Sequence, residues 1–241
     1  MSSGFGTLLW WTLLVFAAFL FDWVAVALKL EKIKPFAKIL AMLSVIVWTM
    51  AAVGWRFDVL ILLLFMAQQF GLDGDIFLLF ADKFFIQGLA SFLIGHLFYI
   101  SLIIVRIVML SSSAAVLTDN LQSLMVALVV WAGILIVFYS IFGVLSKDNL
   151  VERGLWIAIQ IYGWVLSGLV ALALFAALIF GDLSVGLWFL PIGAFLFLIS
   201  DSLLAYDRFI KPLWSGQLWV LITYHCAQFC LALGFVTFLR G

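Results

Sequence analysis

The sequence predicts an all-α fold: a polytopic, integral membrane helical bundle of about eight transmembrane helices. Three observations carry that expectation. The chain is 68% hydrophobic and only 10% charged, with a mean hydropathy of +1.33, whereas a soluble domain is about half apolar. Its apolar runs recur at about the 20-residue length that crosses a bilayer. The connections between them are brief, and no Pro/Gly-rich linker or shift in composition divides the chain. Residues 1–241 therefore read as a single transmembrane domain. Twelve basic residues balance twelve acidic ones, which leaves no basic face for nucleic acid and no acidic tail for a cationic partner. Partners are to be sought in the bilayer, as membrane lipid.

The first span, near 7–28, has no basic leader and exceeds the roughly 7 to 15 apolar residues of a signal-peptide core, so it is expected to remain as a helix. A short second span, 39–53, follows a lysine-rich loop. Spans at 57–80 and 84–105 come next, and residues 111–120 form the longest polar connection, with Ser111-Ser112-Ser113 as a loop triplet. The last four spans lie near 121–145, 155–180, 185–204 and 218–239. Pro191 sits at a helix start, where proline is tolerated, and no span is interrupted by Gly/Pro at mid-membrane. Cys226 and Cys230 lie one turn apart in an apolar run and read as small hydrophobes rather than as a disulfide or metal site.

Orientation follows from the basic residues of short loops. With the N-terminus outside, the inward loops hold Lys29, Lys32, Lys34, Lys38, Lys83, Lys147, Arg153, Arg208 and Lys211, against Arg56, Arg106 and Arg240 on the outward side. Both termini are then expected outside, and the protein in a bacterial inner membrane.

Ionisable groups at bilayer depth are costly and mark functional sites by default. Asp82, Asp119, Asp148, Glu152 and Asp182 fall in predicted loops, where water solvates them. Asp22, Asp58, Asp73 and Asp207 stand near span ends, as interfacial or capping groups. Asp75 and Asp201 differ, because each sits within, or at the cytoplasmic edge of, a strongly apolar run. A cap or an interhelical hydrogen bond is the plain alternative for either. Gly74-Asp75-Ile76-Phe77-Leu78-Leu79 is echoed by Ser200-Asp201-Ser202-Leu203-Leu204-Ala205, and each is followed by one of the two histidines, His96 and His225. A four-plus-four parallel repeat leaves such an echo.

Gly88, Phe92, Gly95, His96 and Tyr99 share one helix face, with glycines that permit close helix approach. His96 reads equally as a packing residue or a functional one. Gly193, Phe197, Ser200, Asp201 and Leu204 form a comparable stripe. Tyr224 and Gln228 lie one turn apart, with His225 about 100° round from Tyr224. Asp75 and Asp201 reach the same half of the membrane in this topology, where two carboxylates can meet. There is no HExxH, no GxSxG and no phosphate-binding glycine loop. Zinc held by His96, His225 and an aspartate is a remaining alternative, and a small transporter or proton-coupled carrier using buried Asp and His is the rival function.

The same segments, Gly74-Asp75-Ile76-Phe77-Leu78, Gly88 through Gly95-His96-Leu97-Phe98-Tyr99, Pro191 to Phe197 running into Ser200-Asp201-Ser202-Leu203-Leu204-Ala205, and Thr223-Tyr224 with Ala227-Gln228, resemble the YhhN family of membrane lysoplasmalogenases. Lys34-Pro35 agrees as well, and Asp73 adds a carboxylate beside the expected Gly-Asp. The resemblance implies an eight-helix hydrolase that cleaves the vinyl ether bond of a lysophospholipid, the lysoplasmalogen, into a fatty aldehyde and a glycerophospho-head group. It implies Asp75 and Asp201 as the catalytic pair, and no cofactor or metal. His96, Tyr99, Ser200, Tyr224 and Gln228 are then expected to orient the pair, position water or bind substrate. The chemistry suits paired carboxyls. Protonation of the alkenyl carbon distal to oxygen gives an oxocarbenium ion that water attacks. Two neighbouring carboxyls in an apolar site resist losing both protons, so one acts as acid while the other stabilises the cation, as in glycoside hydrolysis.

Overall fold

A computed structural model describes residues 2–111, 116–152 and 154–240. Among them there is no strand, and eight segments are long and apolar enough to cross a membrane: Leu8–Ala27, Lys34–Ala52, Val59–Leu78, Lys83–Leu110, Leu121–Val144, Trp156–Phe180, Val185–Phe209 and Gly216–Arg240. Ser112, Ser113 and Arg153 lie outside the described residues. The helices group into two compact units, Met1–Leu102 and Ile103–Gly241.

The first unit holds α1 (Ser2–Ala27), α2 (Lys34–Ala52), α3 (Val59–Leu78) and most of α4 (Ala81–Leu110). Helix α2 begins earlier than hydropathy predicts. Pro35 occupies its first turn, where a missing N–H costs nothing and a fixed φ favours helix, and Lys34 pairs with Glu31 at 2.7 Å. Lys38, counted above among loop cations, therefore lies one turn inside the helix. At the other end Gly54 takes φ 73°, and the Trp55 N–H closes onto the Met50 carbonyl at 2.9 Å, so the last turn ends in a left-handed cap. Asp58 then caps α3, accepting from the N–H groups of Leu60 and Ile61 at 3.0 Å each. Helix α4 carries one non-helical residue, Phe84 (φ −122°, ψ 23°), near its start. It runs past the expected end at 105, because Arg106 leaves the turn intact and bonds the Phe238 carbonyl at 2.9 Å.

The stripe of α4 packs on α3. A Cβ at Gly95 would stand 2.9 Å from the Ala67 carbonyl oxygen, and one at Gly88 would stand 3.1 Å from the Leu78 side chain. Backbones come this close only where the interface residue is small. Phe92, His96 and Tyr99 are buried along the same face, as the spacing predicts.

The second unit contains the short α5 (Val116–Asp119), α6 (Leu121–Phe138), a π-helical stretch (Tyr139–Leu145), α7 (Lys147–Glu152), α8 (Trp156–Phe180), two 3₁₀ turns (Gly181–Leu183 and Val185–Trp188), α9 (Phe189–Phe209) and α10 (Gly216–Arg240). The fifth span is thus helical throughout but widened at its end. Asp119, Asp148, Glu152 and Asp182 stand in short helices or turns rather than loops, and all four are exposed. Helix α9 continues to Phe209, beyond the expected 204, and Asp207 at its end accepts from the Leu213 N–H at 2.6 Å. Helices α9 and α10 cross closely: a Cβ at Gly193 would lie 2.7 Å from the Leu231 nitrogen, and one at Gly234 would lie 2.7 Å from the Leu190 nitrogen. The outer faces are apolar, with Val129, Ile136, Val137 and Ile161 exposed, as lipid-facing surfaces are.

Candidate active site

In the first unit, α1 ends, α2 begins and α3 ends at the same pole. Three ionisable side chains are gathered there. Asp75 of α3 is 2% exposed, and its Oδ1 lies 3.2 Å from Nζ of Lys38 on α2, whose side chain is 15% exposed. Asp22 of α1 is fully buried and within electrostatic reach of both Lys38 and Asp75. A buried ion pair of this kind is stable only while both partners are present. Further along α2 and α3, Gln68 donates from Nε2 to the Thr49 hydroxyl at 2.8 Å, and Thr49 in turn donates to the Val45 carbonyl at 2.9 Å. On α4, His96 Nδ1 bonds the Phe92 carbonyl of its own helix. A carbonyl only accepts, so Nδ1 carries the proton.

In the second unit, α8 begins, α9 ends and α10 begins at one pole. The Tyr162 hydroxyl of α8 donates to Oδ2 of Asp201 on α9. Tyr162 is buried and Asp201 half-buried. Its neighbour Ser200 donates to the Val220 carbonyl of α10 at 3.0 Å, so that hydroxyl ties two helices together. Gln228 donates from Nε2 to the Tyr224 hydroxyl at 3.2 Å, and the Tyr224 ring meets Phe197 edge-on at 5.4 Å between centroids. His225 is buried as well, its ring tilted against that of Tyr224 at 5.6 Å between centroids. Among the described residues no three His, Cys, Asp or Glu side chains stand together as a metal ion would need.

The sequence profile of the YhhN family matches residues 33–235, most of the chain. The chain belongs to the YhhN family. No curated protein and no solved structure matches it. The YhhN match takes in both aspartates, both histidines, Tyr162 and Lys38, and begins beyond α1 and Asp22.

Each expected site residue of this YhhN chain falls on a long helix: Asp75, His96 and Tyr99 in the first unit, Ser200, Asp201, Tyr224 and Gln228 in the second. Each unit carries its aspartate toward the end of its third long helix and a buried histidine on its fourth. Three partners escape sequence reasoning. Lys38 looks like a loop cation until Pro35 is taken as the helix start. Asp22 looks interfacial because it stands five residues before the end of α1, yet Phe19, Ala25 and Val26 around it are also buried. Tyr162 has no distinctive neighbour; a tyrosine near a span end is ordinarily an interfacial anchor.

Proposed function

We propose that the protein is an intramembrane hydrolase that cleaves the vinyl ether bond of lysoplasmalogens, with Asp75 and Asp201 as its working carboxyl groups. Membership of the YhhN family carries this reading, and it is supported by the way each unit anchors one aspartate: the buried Asp75 against the Lys38 ammonium and the half-buried Asp201 against the Tyr162 hydroxyl. Charged groups kept at bilayer depth demand a purpose, and acid–base work supplies one.

The reaction proceeds in two proton steps. A carboxyl O–H bond breaks as a C–H bond forms at the alkenyl carbon distal to oxygen, and the ether oxygen shares the resulting positive charge. The carboxylate left behind stabilises that cation in a low-dielectric setting. Water then adds to the carbon bonded to oxygen, giving up a proton to a carboxylate. The hemiacetal collapses to a fatty aldehyde and a glycerophospho-head group, and the proton balance is restored. His96, Tyr99, Ser200, Tyr224 and Gln228 serve to hold helices, water and the glycerol hydroxyl in place. The substrate is a membrane amphiphile and enters from the cytoplasmic leaflet of a bacterial inner membrane, both termini lying outside.

The test is aldehyde release from a lysoplasmalogen by the purified protein in detergent. Wild type is expected to release aldehyde, and Asp75→Asn and Asp201→Asn each to lose it by 100-fold or more. A wild type without aldehyde product, or variants at wild-type rate, overturns the proposal.

A further inference from the structure

The reading above uses Asp75 with the half-buried Lys38 as its anchor and leaves the buried Asp22 beside them without a part. Asp22, Lys38 and Asp75 come from three different helices and converge at one pole of the first unit. The Lys38 ammonium is 3.2 Å from Asp75, and the fully buried Asp22 lies within electrostatic reach of both. Of the unit's other charged side chains, Glu31 pairs with Lys34, Asp58 caps the start of α3, Asp73 accepts from Gln69 at 3.2 Å, Arg56 bonds the Val53 carbonyl and Lys83 lies over the Phe84 ring, while Lys29 and Lys32 are exposed between α1 and α2. On α4, His96 bonds Phe92 and Tyr99 is buried.

Two carboxyls within electrostatic reach of one ammonium cannot all be charged without leaving a net negative charge in a largely apolar interior, where an uncompensated ion is expensive. The three groups reach neutrality by sharing a single proton. We infer that Asp22, Lys38 and Asp75 form one coupled site holding one exchangeable proton, with Asp22 and Lys38 acting as positioning residues that keep Asp75 supplied and oriented. The inference deepens the hydrolase reading and rests on it for its catalytic consequence. The charge count stands separately.

Infrared spectroscopy of the reconstituted protein at neutral pH counts protonated carboxyls directly, and carboxyls outside the site cancel in differences between variants. Relative to wild type, Asp22→Asn and Asp75→Asn are each expected to lose one protonated-carboxyl band, since each leaves a neutral ion pair. Lys38→Met is expected to gain one, because both carboxyls must then be neutral, and Lys38→Arg to match wild type. The charge-neutral double variant Asp22→Asn with Lys38→Met keeps a single band, and covers the case in which a single variant folds poorly. In aldehyde release, Asp22→Asn is expected to lower kcat at least 10-fold with KM within 2-fold, and Lys38→Arg to retain activity. Unchanged bands in Asp22→Asn and Lys38→Met overturn the inference, as does an Asp22→Asn variant with wild-type kcat. A wild type that makes no aldehyde overturns the hydrolase reading alone, and the band count then still decides the site.

Discussion

Replacing Lys38 by methionine removes one ammonium while keeping the length and apolar stem of the side chain. The structure sets the size of the effect. Lys38 and Asp75 are 3.2 Å apart, a separation at which unit charges attract by about 5 kcal/mol for an effective dielectric of about 20. Removing one partner of a buried pair costs about 3 to 5 kcal/mol, mostly because the other is left uncompensated. For a chain of 241 residues, each kcal/mol moves the melting temperature by about 2–4 °C, so Lys38→Met is expected to melt about 6–20 °C lower in detergent. Asp75→Asn is expected to lose less, because Lys38 keeps Asp22. Combining the two should recover part of the Lys38→Met loss, since one carboxyl rather than two must then be held protonated without its cation; the measured coupling should reach about 2 kcal/mol. Thermal unfolding followed by circular dichroism supplies all four corners of the cycle. A Lys38→Met protein melting within 2 °C of wild type, or single losses that add in the double variant, refutes the buried ion pair.

Tyr162→Phe deletes the donor to Asp201; a hydrogen bond to a charged group contributes about 1.5–3 kcal/mol, so aldehyde release should fall about 10- to 100-fold while the fold persists. A Tyr162→Phe enzyme with undiminished kcat removes Tyr162 from the site. Thr49→Val strands the Gln68 amide and should cost about 1–3 kcal/mol in thermal unfolding, whereas Gln68→Leu alone should cost less; the opposite order contradicts the pairing. Gly193→Leu places a Cβ 2.7 Å from the Leu231 nitrogen and 3.0 Å from the Ala227 carbonyl oxygen. Both are backbone atoms, so α9 and α10 must part, at about 1–3 kcal/mol. A melting temperature at or above wild type shows that this crossing is looser than described.

Hydropathy and periodicity find the eight spans because burying backbone in lipid leaves the chain little choice but helix. They also find the faces: Gly88, Phe92, Gly95, His96 and Tyr99 share a stripe, and that stripe is the one against α3. Boundaries err where a polar side chain is carried inside a helix by its neighbours. Lys38 is read as loop because charge is counted before Pro35 is, and 105 looks like an end because Arg106 is a cation whose carbonyl partner, Phe238, is 132 residues away. Asp22 and Tyr162 are missed for a related reason. Nothing within a helical turn of Asp22 distinguishes an interfacial aspartate from a buried one; what distinguishes it is Lys38 on the next helix. The hydrogen bond between Tyr162 and Asp201 likewise joins residues 39 apart, a pairing set by the packing of α8 on α9 and invisible to any local pattern. Tyr224 and Gln228 are legible, by contrast, because four residues on one helix suffice to bring them together.

Transfer of a proton to carbon is the central step, and deuterium reports it. The purified protein is incubated with a lysoplasmalogen in D₂O, and the released aldehyde is trapped and weighed by mass spectrometry, for wild type and for Asp75→Asn and Asp201→Asn. The expected result is one deuterium on the carbon next to the aldehyde group in wild type, with product falling at least 100-fold in each variant. Aldehyde released without that deuterium, or formed as fast by either variant, contradicts carboxyl-driven protonation of the vinyl ether.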